Sequence, residues 1–244
     1  KFSPGPITYV LKLKKSSKIS KNVTNGNKSL AVRFPKHKIF RELLRQLDYP
    51  LAAPSANIAT KVSAVEVADV KEEFGSKIKF ILDGGKCKIG IESTIINLIK
   101  KPIILRLGGL DVSKIQKTLT LKVTKNLNPK KKIAPGQSRL HYSPGIPINL
   151  NVINPKDDEA FILIKKRKAR SNNFYYLSTN GNLNEIAKNL YSSLRKIKNM
   201  GYKSIAVEKI PHKGLGKAIN DRLRKASNFR HLKWLVLCLR KITY

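Results

Sequence analysis

The stretch Glu92-Ser93-Thr94-Ile95-Ile96-Asn97-Leu98-Ile99, followed after a short break by Ile103-Ile104-Leu105-Arg106-Leu107, decides the fold class. Both runs are short and rich in isoleucine, so they read as two strands, 94–99 and 103–107. Upstream, strand and helix signals alternate. Ile7, Tyr9, Leu11 and Leu13 fall on alternate positions, as on a half-buried strand, and residues 30–34 form a second one. Ile39, Phe40, Leu43, Leu44 and Leu47 share one helical face. Residues 51–53 read as a short strand entering the turn Pro54-Ser55-Ala56-Asn57. Ser63 and Glu66 have capping-box spacing ahead of Val67, Val70 and Phe74, and residues 78–82 read as a strand stopped by Asp83-Gly84-Gly85. The pattern is that of an α/β domain with a twisted mixed sheet.

Downstream the character changes. Residues 111–145 are rich in Lys, Asn and Pro and read mostly as a linker lying over the first domain. Strand patterns resume at 148–152, 161–164 and 204–207, around a helix carrying Leu183, Ile186, Leu190, Leu194 and Ile197. Gly201 stands where a helix-ending glycine belongs, and a last helix starts near Gly216 with Ile219 and Leu223. This is a second, smaller α/β domain. There is no internal repeat.

Composition bounds the possibilities. With 244 residues and 41% apolar content, the chain is globular and long enough for one large domain or two small ones. Its longest apolar run, 234–239, is far short of the roughly 18–20 residues of a membrane span. Two cysteines, Cys87 and Cys238, make no disulfide or metal framework and suit a reducing cytosol. The four histidines show no metal-ligand spacing. The net charge of +35 has two readings: a polyanion partner, or compositional drift in a chain rich in Lys, Asn and Ile together. The lysines are scattered and no aromatic RNA-binding motif accompanies them, so charge alone does not establish nucleic-acid binding.

Several polar stretches could carry chemistry. Pro54-Ser55-Ala56-Asn57 follows an apolar run, at the kind of place where open α/β sheets bind ligands, though these are also ordinary turn residues. Asp83-Gly84-Gly85 to Gly90-Ile91-Glu92-Ser93-Thr94 offers glycines for close backbone approach and two hydroxyls, or is a glycine-rich hairpin. Arg33 and Arg106 each end an apolar strand and could meet a carboxylate or a phosphate, or be ion-paired. Gly214-Leu215-Gly216 lacks the third glycine of a dinucleotide loop and reads better as the start of a helix. No Walker A loop and no nucleophile elbow is present.

Taken in order, these segments resemble the threonylcarbamoyl-adenylate synthases, in the long form with an extra C-terminal domain. The matching stretches are Pro4-Gly5-Pro6-Ile7-Thr8, Ala31-Val32-Arg33-Phe34-Pro35, and Pro50-Leu51-Ala52-Ala53-Pro54-Ser55-Ala56-Asn57. Ile81-Leu82-Asp83-Gly84-Gly85, Glu92-Ser93-Thr94-Ile95 and Ile104-Leu105-Arg106 follow. His141-Tyr142-Ser143-Pro144 and the run from Gly214 to Leu223 complete the series. The resemblance implies a YrdC-like synthase domain over 1–112 with its N-terminal part missing. A linker over the active site spans 113–145, a small Rossmann-like domain 146–227, and a tail of unknown nature 228–244.

It further implies that threonine and bicarbonate form a carbamate, which attacks the α-phosphorus of ATP to give threonylcarbamoyl-AMP and pyrophosphate. Such chemistry needs positioning and charge neutralisation rather than a protein nucleophile. By the same resemblance Arg33 holds the threonine carboxylate, with the Ala53 backbone and Ser93 completing that pocket. Ser29, where the family usually has threonine, contacts the nucleotide. Ser55, Asn57, Ser63 and Arg106 line its site, in one cleft of the first domain, and Tyr142 closes over it as a lid. Mg²⁺ is expected with ATP, and no metal site of the protein's own.

The partners implied are ATP, L-threonine, bicarbonate and a downstream threonylcarbamoyl-transferase complex. Transfer RNA is met only weakly or indirectly, the location is cytoplasmic, and no membrane is involved. The family's Lys-x-Arg phosphate clamp is expected upstream of Lys1, so the chain by itself is expected to be inactive. The pattern after Asn57 also departs from the family: Ile58-Ala59-Thr60 replaces Ser-Gly, and Val62-Ser63-Ala64-Val65 replaces Ser-Pro-Thr. Two rivals stand beside this reading. One is a non-catalytic relative of the same fold that binds RNA, double-stranded RNA included. The other is a carbamoyltransferase with a related domain, whose zinc-finger cysteines this sequence lacks.

Overall fold

The computed structural model describes residues 1–129, 134–168 and 171–228. Its elements are, in order, β1 (Ile7–Lys12), α1 (Lys21–Thr24), β2 (Ser29–Val32), α2 (Lys38–Arg45), α3 (Val67–Phe74), β3 (Thr94–Asn97) and β4 (Ile103–Arg106). Then come α4 (Val112–Gln116), β5 (Thr124–Lys125), β6 (Ile148–Leu150), β7 (Glu159–Leu163), β8 (Phe174–Tyr176), α5 (Leu183–Asn199), β9 (Ser204–Val207) and α6 (Gly216–Ser227). They build two compact units, one from Lys1–Pro54 and Glu92–Gln137, the other from Ser55–Ile91 and everything from Ser138. These units cut across the boundary at 112 read from the sequence.

The first unit holds a five-stranded mixed sheet in the order β2-β1-β3-β4-β5. β1 pairs antiparallel with β2 and parallel with β3, β3 antiparallel with β4, and β4 parallel with β5. The alternation expected in β1 is not the one that is buried: Ile7 and Val10 are buried while Leu11 is 41% exposed. Residues three apart on a strand point to opposite faces, so this interior strand has one buried residue on each. Val10 packs with Ile95 and Leu105. Burying a side chain of this size contributes about 1.5–3 kcal/mol.

Three expectations fail here. Residues 51–53 and 78–82 form no strand; Leu51 is exposed, and Phe80 is 91% exposed. An apolar run becomes a strand only when a ladder partner takes up its backbone groups, and none does so among the described residues. The helix α2 does form, but none of its residues is buried. The stretch read as linker is partly structured, since it supplies α4 and β5. Beyond them, buried Gln137 donates from Nε2 to the carbonyls of Leu105 and Asn126, at 3.1 and 3.3 Å.

The second unit holds a four-stranded parallel sheet, β6-β9-β7-β8. Every residue of β7 is buried, as an interior parallel strand requires. The strand β8 was missed; its Phe174-Tyr175-Tyr176 triplet is short but has the aromatic content of a strand. The helix α5 follows the expected spacing, with Ile186, Leu190, Leu194 and Ile197 buried. Asn182 caps it by accepting from the N–H of Asn184 and Glu185, and Gly201, at φ +81°, follows its end. Gly216 opens α6, so the glycine pair there starts a helix as expected. The cap of α3 is not Ser63. Glu66 is the N-cap and forms the capping box with Asp69, while Ser63 is buried. The tail, from residue 229 on, lies outside the described residues.

Gly90 explains part of the glycine pattern without a ligand. Its φ is +77°, and a Cβ there would stand 2.4 Å from the Ala187 carbonyl oxygen and 2.5 Å from the Lys188 Cα, both on α5. The segment before β3 is thus pressed against a helix backbone that cannot yield. Gly85 has a similar φ of +70° but open space around it. Gly90→Ala is therefore expected to cost ~3 kcal/mol or more, from overpacking plus backbone strain. Gly85→Ala should cost only ~1 kcal/mol. Urea denaturation of the two variants measures the difference.

Candidate functional site

One polar cluster forms at a single end of the five-stranded sheet. β1 and β3 start there and run parallel; β2 and β4 run the other way and finish there. Thr8 near the start of β1, Ser93 just before β3, Arg106 at the end of β4 and Arg33 just past β2 therefore come to the same end. The Ser93 hydroxyl lies 2.7 Å from that of Thr8 and accepts from Arg106 Nη2 at 3.1 Å. Arg106 Nε donates to the Ser93 carbonyl at 3.0 Å, and both residues are buried. Two parallel N–H bonds to one residue fix the guanidinium plane. A Cβ on Gly108 would stand 2.3 Å from the Ser93 carbonyl carbon, so glycine lets the chain lie flat against Ser93.

Arg33 is exposed and donates from Nε to the Gly5 carbonyl at 3.2 Å, while the Gly5 N–H donates to Phe34 at 2.9 Å. The Pro4-Gly5-Pro6 turn thus sets the orientation of this guanidinium. Ser29 stands opposite Lys12, at the far end of β2 from Arg33. Four residue steps along the chain separate the two, about 13 Å. Ala53 is exposed and lies outside any strand. A groove of about 350 Å³ opens beside Lys12 and Lys14, and neither Ser93 nor Arg106 lines it.

Of the nine residues assigned from the sequence, Ser29, Arg33, Ala53, Ser93 and Arg106 belong to this unit; Ser55, Asn57, Ser63 and Tyr142 belong to the other. Ser93 and Arg106, one assigned to threonine and one to ATP, are directly bonded. Thr8 was not singled out, although it closes the Pro4-Gly5-Pro6-Ile7-Thr8 motif; a strand threonine beside two prolines carries no chemical signal by itself.

In the second unit, residues 55–63 form an irregular segment held at several points. Ser55 is exposed, and its carbonyl accepts from the Asn57 N–H at 3.0 Å. Asn57 Nδ2 donates to the carbonyls of Ile58 and Lys61, at 2.9 and 3.1 Å. Lys61 forms a parallel bridge with Ser143, whose N–H donates to Thr60 at 2.8 Å. The next residue back, Tyr142, has φ +63° and is 1% exposed. Its ring stacks on Tyr191 of α5, with centroids 5.7 Å apart, under the Arg222 guanidinium of α6 at 4.8 Å. A lid role would require the ring to leave this packing.

Glu73 of α3 anchors the same segment. Its Oε1 accepts from the Ile58 N–H at 3.1 Å and lies 3.2 Å from Lys61 Nζ; its Oε2 lies 3.5 Å from Arg195 Nη1. Burial pushes its carboxyl up, but the Ile58 and Lys61 hydrogen bonds and the Lys61 and Arg195 charges together bring it below its usual 4.5. A carboxylate depressed on folding contributes stability that is complete above the unfolded value and lost as pH falls through the folded one. Glu73→Gln should therefore be less stable than the parent at about pH 7, with the gap closing below about pH 4.5. Urea denaturation across that range measures it, and a gap that does not change with pH would count against the assigned charge.

Among the described residues no group of His, Cys, Asp and Glu could hold a metal ion, and no helix is long and apolar enough to cross a membrane.

Comparison with known proteins bears on both units. A family model described as "Telomere recombination" matches residues 1–108, and one described as "Threonylcarbamoyl-AMP synthase, C-terminal domain" matches residues 110–228. The chain is 35% identical to the threonylcarbamoyl-AMP synthase of Pyrococcus abyssi, covering 96% of this chain and 73% of that protein. It is 32% identical to the Schizosaccharomyces pombe synthase and 31% to that of Bacillus subtilis, covering 65% and 72% of their lengths. A crystal structure of the P. abyssi protein complexed with L-threonine is similar with a TM-score of 0.82 at 34% identity, over 94% of this chain and 72% of that one. A variant of that protein, with an adjacent histidine and tyrosine both replaced by alanine, gives 0.80. These matches agree with the mixed α/β architecture and with the motif series read along the sequence, and the chain belongs to the threonylcarbamoyl-AMP synthase family.

Proposed function

We propose that this protein is an L-threonylcarbamoyladenylate synthase, a nucleotidyltransferase that joins L-threonine, bicarbonate and ATP for tRNA modification. The observation that carries the reading is the similarity, at 34% identity over 94% of the chain, to a structure complexed with L-threonine. The polar cluster at the sheet end supports it. Arg33 has the planar fork that suits a carboxylate, and its Nε anchor to Gly5 holds that fork in one orientation. Ser93, fixed by Arg106 and Thr8, supplies a hydroxyl of set direction.

In this reading the threonine amine and bicarbonate combine to a carbamate with loss of water, the N–C bond forming as a C–O bond of bicarbonate breaks. The carbamate oxygen attacks the α-phosphorus, a new P–O bond forms, and the bond to the β-phosphate breaks to release pyrophosphate. No side chain is consumed. The residues bind and orient the reactants, and Arg106 keeps a positive charge beside Ser93 against the anionic reactants. Ser29, Ser55, Asn57, Ser63, Arg106 and Tyr142 are assigned to ATP, and Arg33, Ala53 and Ser93 to threonine. ATP is taken as its Mg²⁺ complex, so the ion counts with the substrate. The cytosol is the setting, in keeping with the exposed free thiol of Cys87. A separate transferase complex then passes the threonylcarbamoyl group to tRNA, which this protein itself binds weakly.

Arg33→Lys, in the full-length protein, separates threonine recognition from nucleotide recognition. Lysine keeps the charge but loses both the Nε anchor and the fork. The KM for threonine should rise ~10-fold or more, with the KM for ATP nearly unchanged, measured by threonine-dependent pyrophosphate release. Equal effects on both substrates would sink the assignment. Pyrophosphate release by the parent protein that does not depend on threonine would sink the function itself.

A further inference from the structure

One buried charged feature of the second unit, centred on Arg195, has no part in the reading above. Arg195, on the buried face of α5, donates from Nη2 to the Val62 carbonyl at 2.7 Å. Its guanidinium also lies 3.8 Å from Asp69, 3.7 Å from Glu72 and 3.5 Å from Glu73, all on α3. Glu73 passes the restraint on, since its other oxygen takes the Ile58 N–H and the Lys61 ammonium. Ile58 and Lys61 in turn receive both hydrogen bonds of the Asn57 amide nitrogen. A continuous run of bonds thus joins α5 to Asn57 through α3.

The arrangement also decides which atom of Asn57 faces outward chemically. With Nδ2 donating to two backbone carbonyls, the amide has only its oxygen to offer. That oxygen, Asn57 Oδ1, is buried and accepts no hydrogen bond among the described residues. A buried carbonyl oxygen without a donor is unfavourable unless a ligand supplies one. An ionised phosphate has no donor to give. A hydroxyl or an exocyclic amine of a nucleoside does.

We propose that Arg195 and Glu73 are positioning residues of the nucleotide site, which lock residues 57–62 so that Asn57 presents Oδ1 to a hydrogen-bond donor on the nucleoside part of ATP. This rests on the assignment of Asn57 to ATP. The two residues touch no substrate; they act through the backbone of Ile58, Lys61 and Val62. Because Arg195 belongs to the segment matched by the C-terminal family model and Asn57 to the segment matched by the N-terminal one, the second family domain takes part in shaping the nucleotide site.

The test uses the full-length protein and reads the Kd for ATP and for threonine by calorimetry, together with the Tm. Arg195→Lys keeps a charge near α3, but one ammonium cannot reproduce the spread of the guanidinium. Glu73→Gln keeps shape and loses charge. Leu190→Ala, on the same helix and fully buried, is the control for simple weakening of the fold. Arg195→Lys and Glu73→Gln are expected to weaken ATP binding ~10-fold, as Asn57→Ala does, with threonine binding within about twofold of the parent. The double variant should be no weaker than the worse single one, since both act along one path. Leu190→Ala should lower the Tm as much or more and leave the Kd for ATP within about twofold. If Arg195→Lys and Glu73→Gln lower the Tm but leave ATP affinity unchanged, or if Leu190→Ala weakens ATP binding equally, the positioning role is overturned. If the parent binds ATP but releases no threonine-dependent pyrophosphate, the synthase reading fails while the positioning result still stands.

Discussion

A buried guanidinium has to be answered on several sides at once, because it cannot shed its charge. Arg195 meets that demand with one backbone carbonyl and three carboxylates of α3. The consequence is architectural. The helix α3 and the segment before it contain no strand of the parallel sheet, and α3 itself buries only Asp69. What ties this region to α5 is charge and close contact: Arg195 at one point and Gly90 against Ala187 and Lys188 at another. Removing one partner of such a buried set costs about 3–5 kcal/mol, because the charges left behind remain uncompensated.

The same logic recurs where acidic residues are scarce. The chain has 50 Lys and Arg against 15 Asp and Glu, so one carboxylate often has to serve several cations. Two groups bring carboxylates and cations together. Asp69, Glu72 and Glu73 surround Arg195, and Asp221 faces Arg222, Arg224 and Lys225 at 3.0, 2.9 and 2.8 Å. Lys225 and Arg222 are buried there, and burial pushes the Lys225 ammonium down despite Asp221. Arg222 then covers the ring of Tyr142. Both of these ion-pair groups thus sit beside segments assigned to the nucleotide, at residues 57–62 and at Tyr142.

Local pattern was legible where one side chain decides local structure. Helix α5 could be read because its apolar spacing and the following Gly201 agree; its Asn182 cap appears only in the structure. The strands within 94–99 and 103–107 could be read because both runs are apolar and bounded by polar breaks. The failures share a different cause. Residues 78–82 look like a strand and lack a ladder partner, which is a tertiary fact. Ser63 and Glu66 fit a capping box by spacing, yet the turn starts three residues later because Asp69 can reach back to the N–H of Val65 and Glu66. In the candidate site, Ser93, Arg106 and Arg33 carried signals of residue type and position. Thr8, Glu73 and Arg195 did not, because a threonine in a strand and charges on helices are ordinary until a partner appears opposite them.

That difference bears on where the working boundary of the protein lies. Sequence families divide this chain at 108 and 110, between segments that look like separate domains. Packing divides it elsewhere, joining 55–91 to the part after 138. The join is specific: Ser143 on Lys61, Arg195 on Val62 and Glu73, and Gly90 on the α5 backbone. Each contact links a residue of the first family segment to one of the second. A cut at residue 110 would leave Glu73 and Asp69 without their guanidinium and Gly90 without the helix that demands a glycine. The C-terminal family segment is therefore part of the scaffold of residues 55–91, and the segment 55–63 takes its conformation from helices on both sides of that boundary.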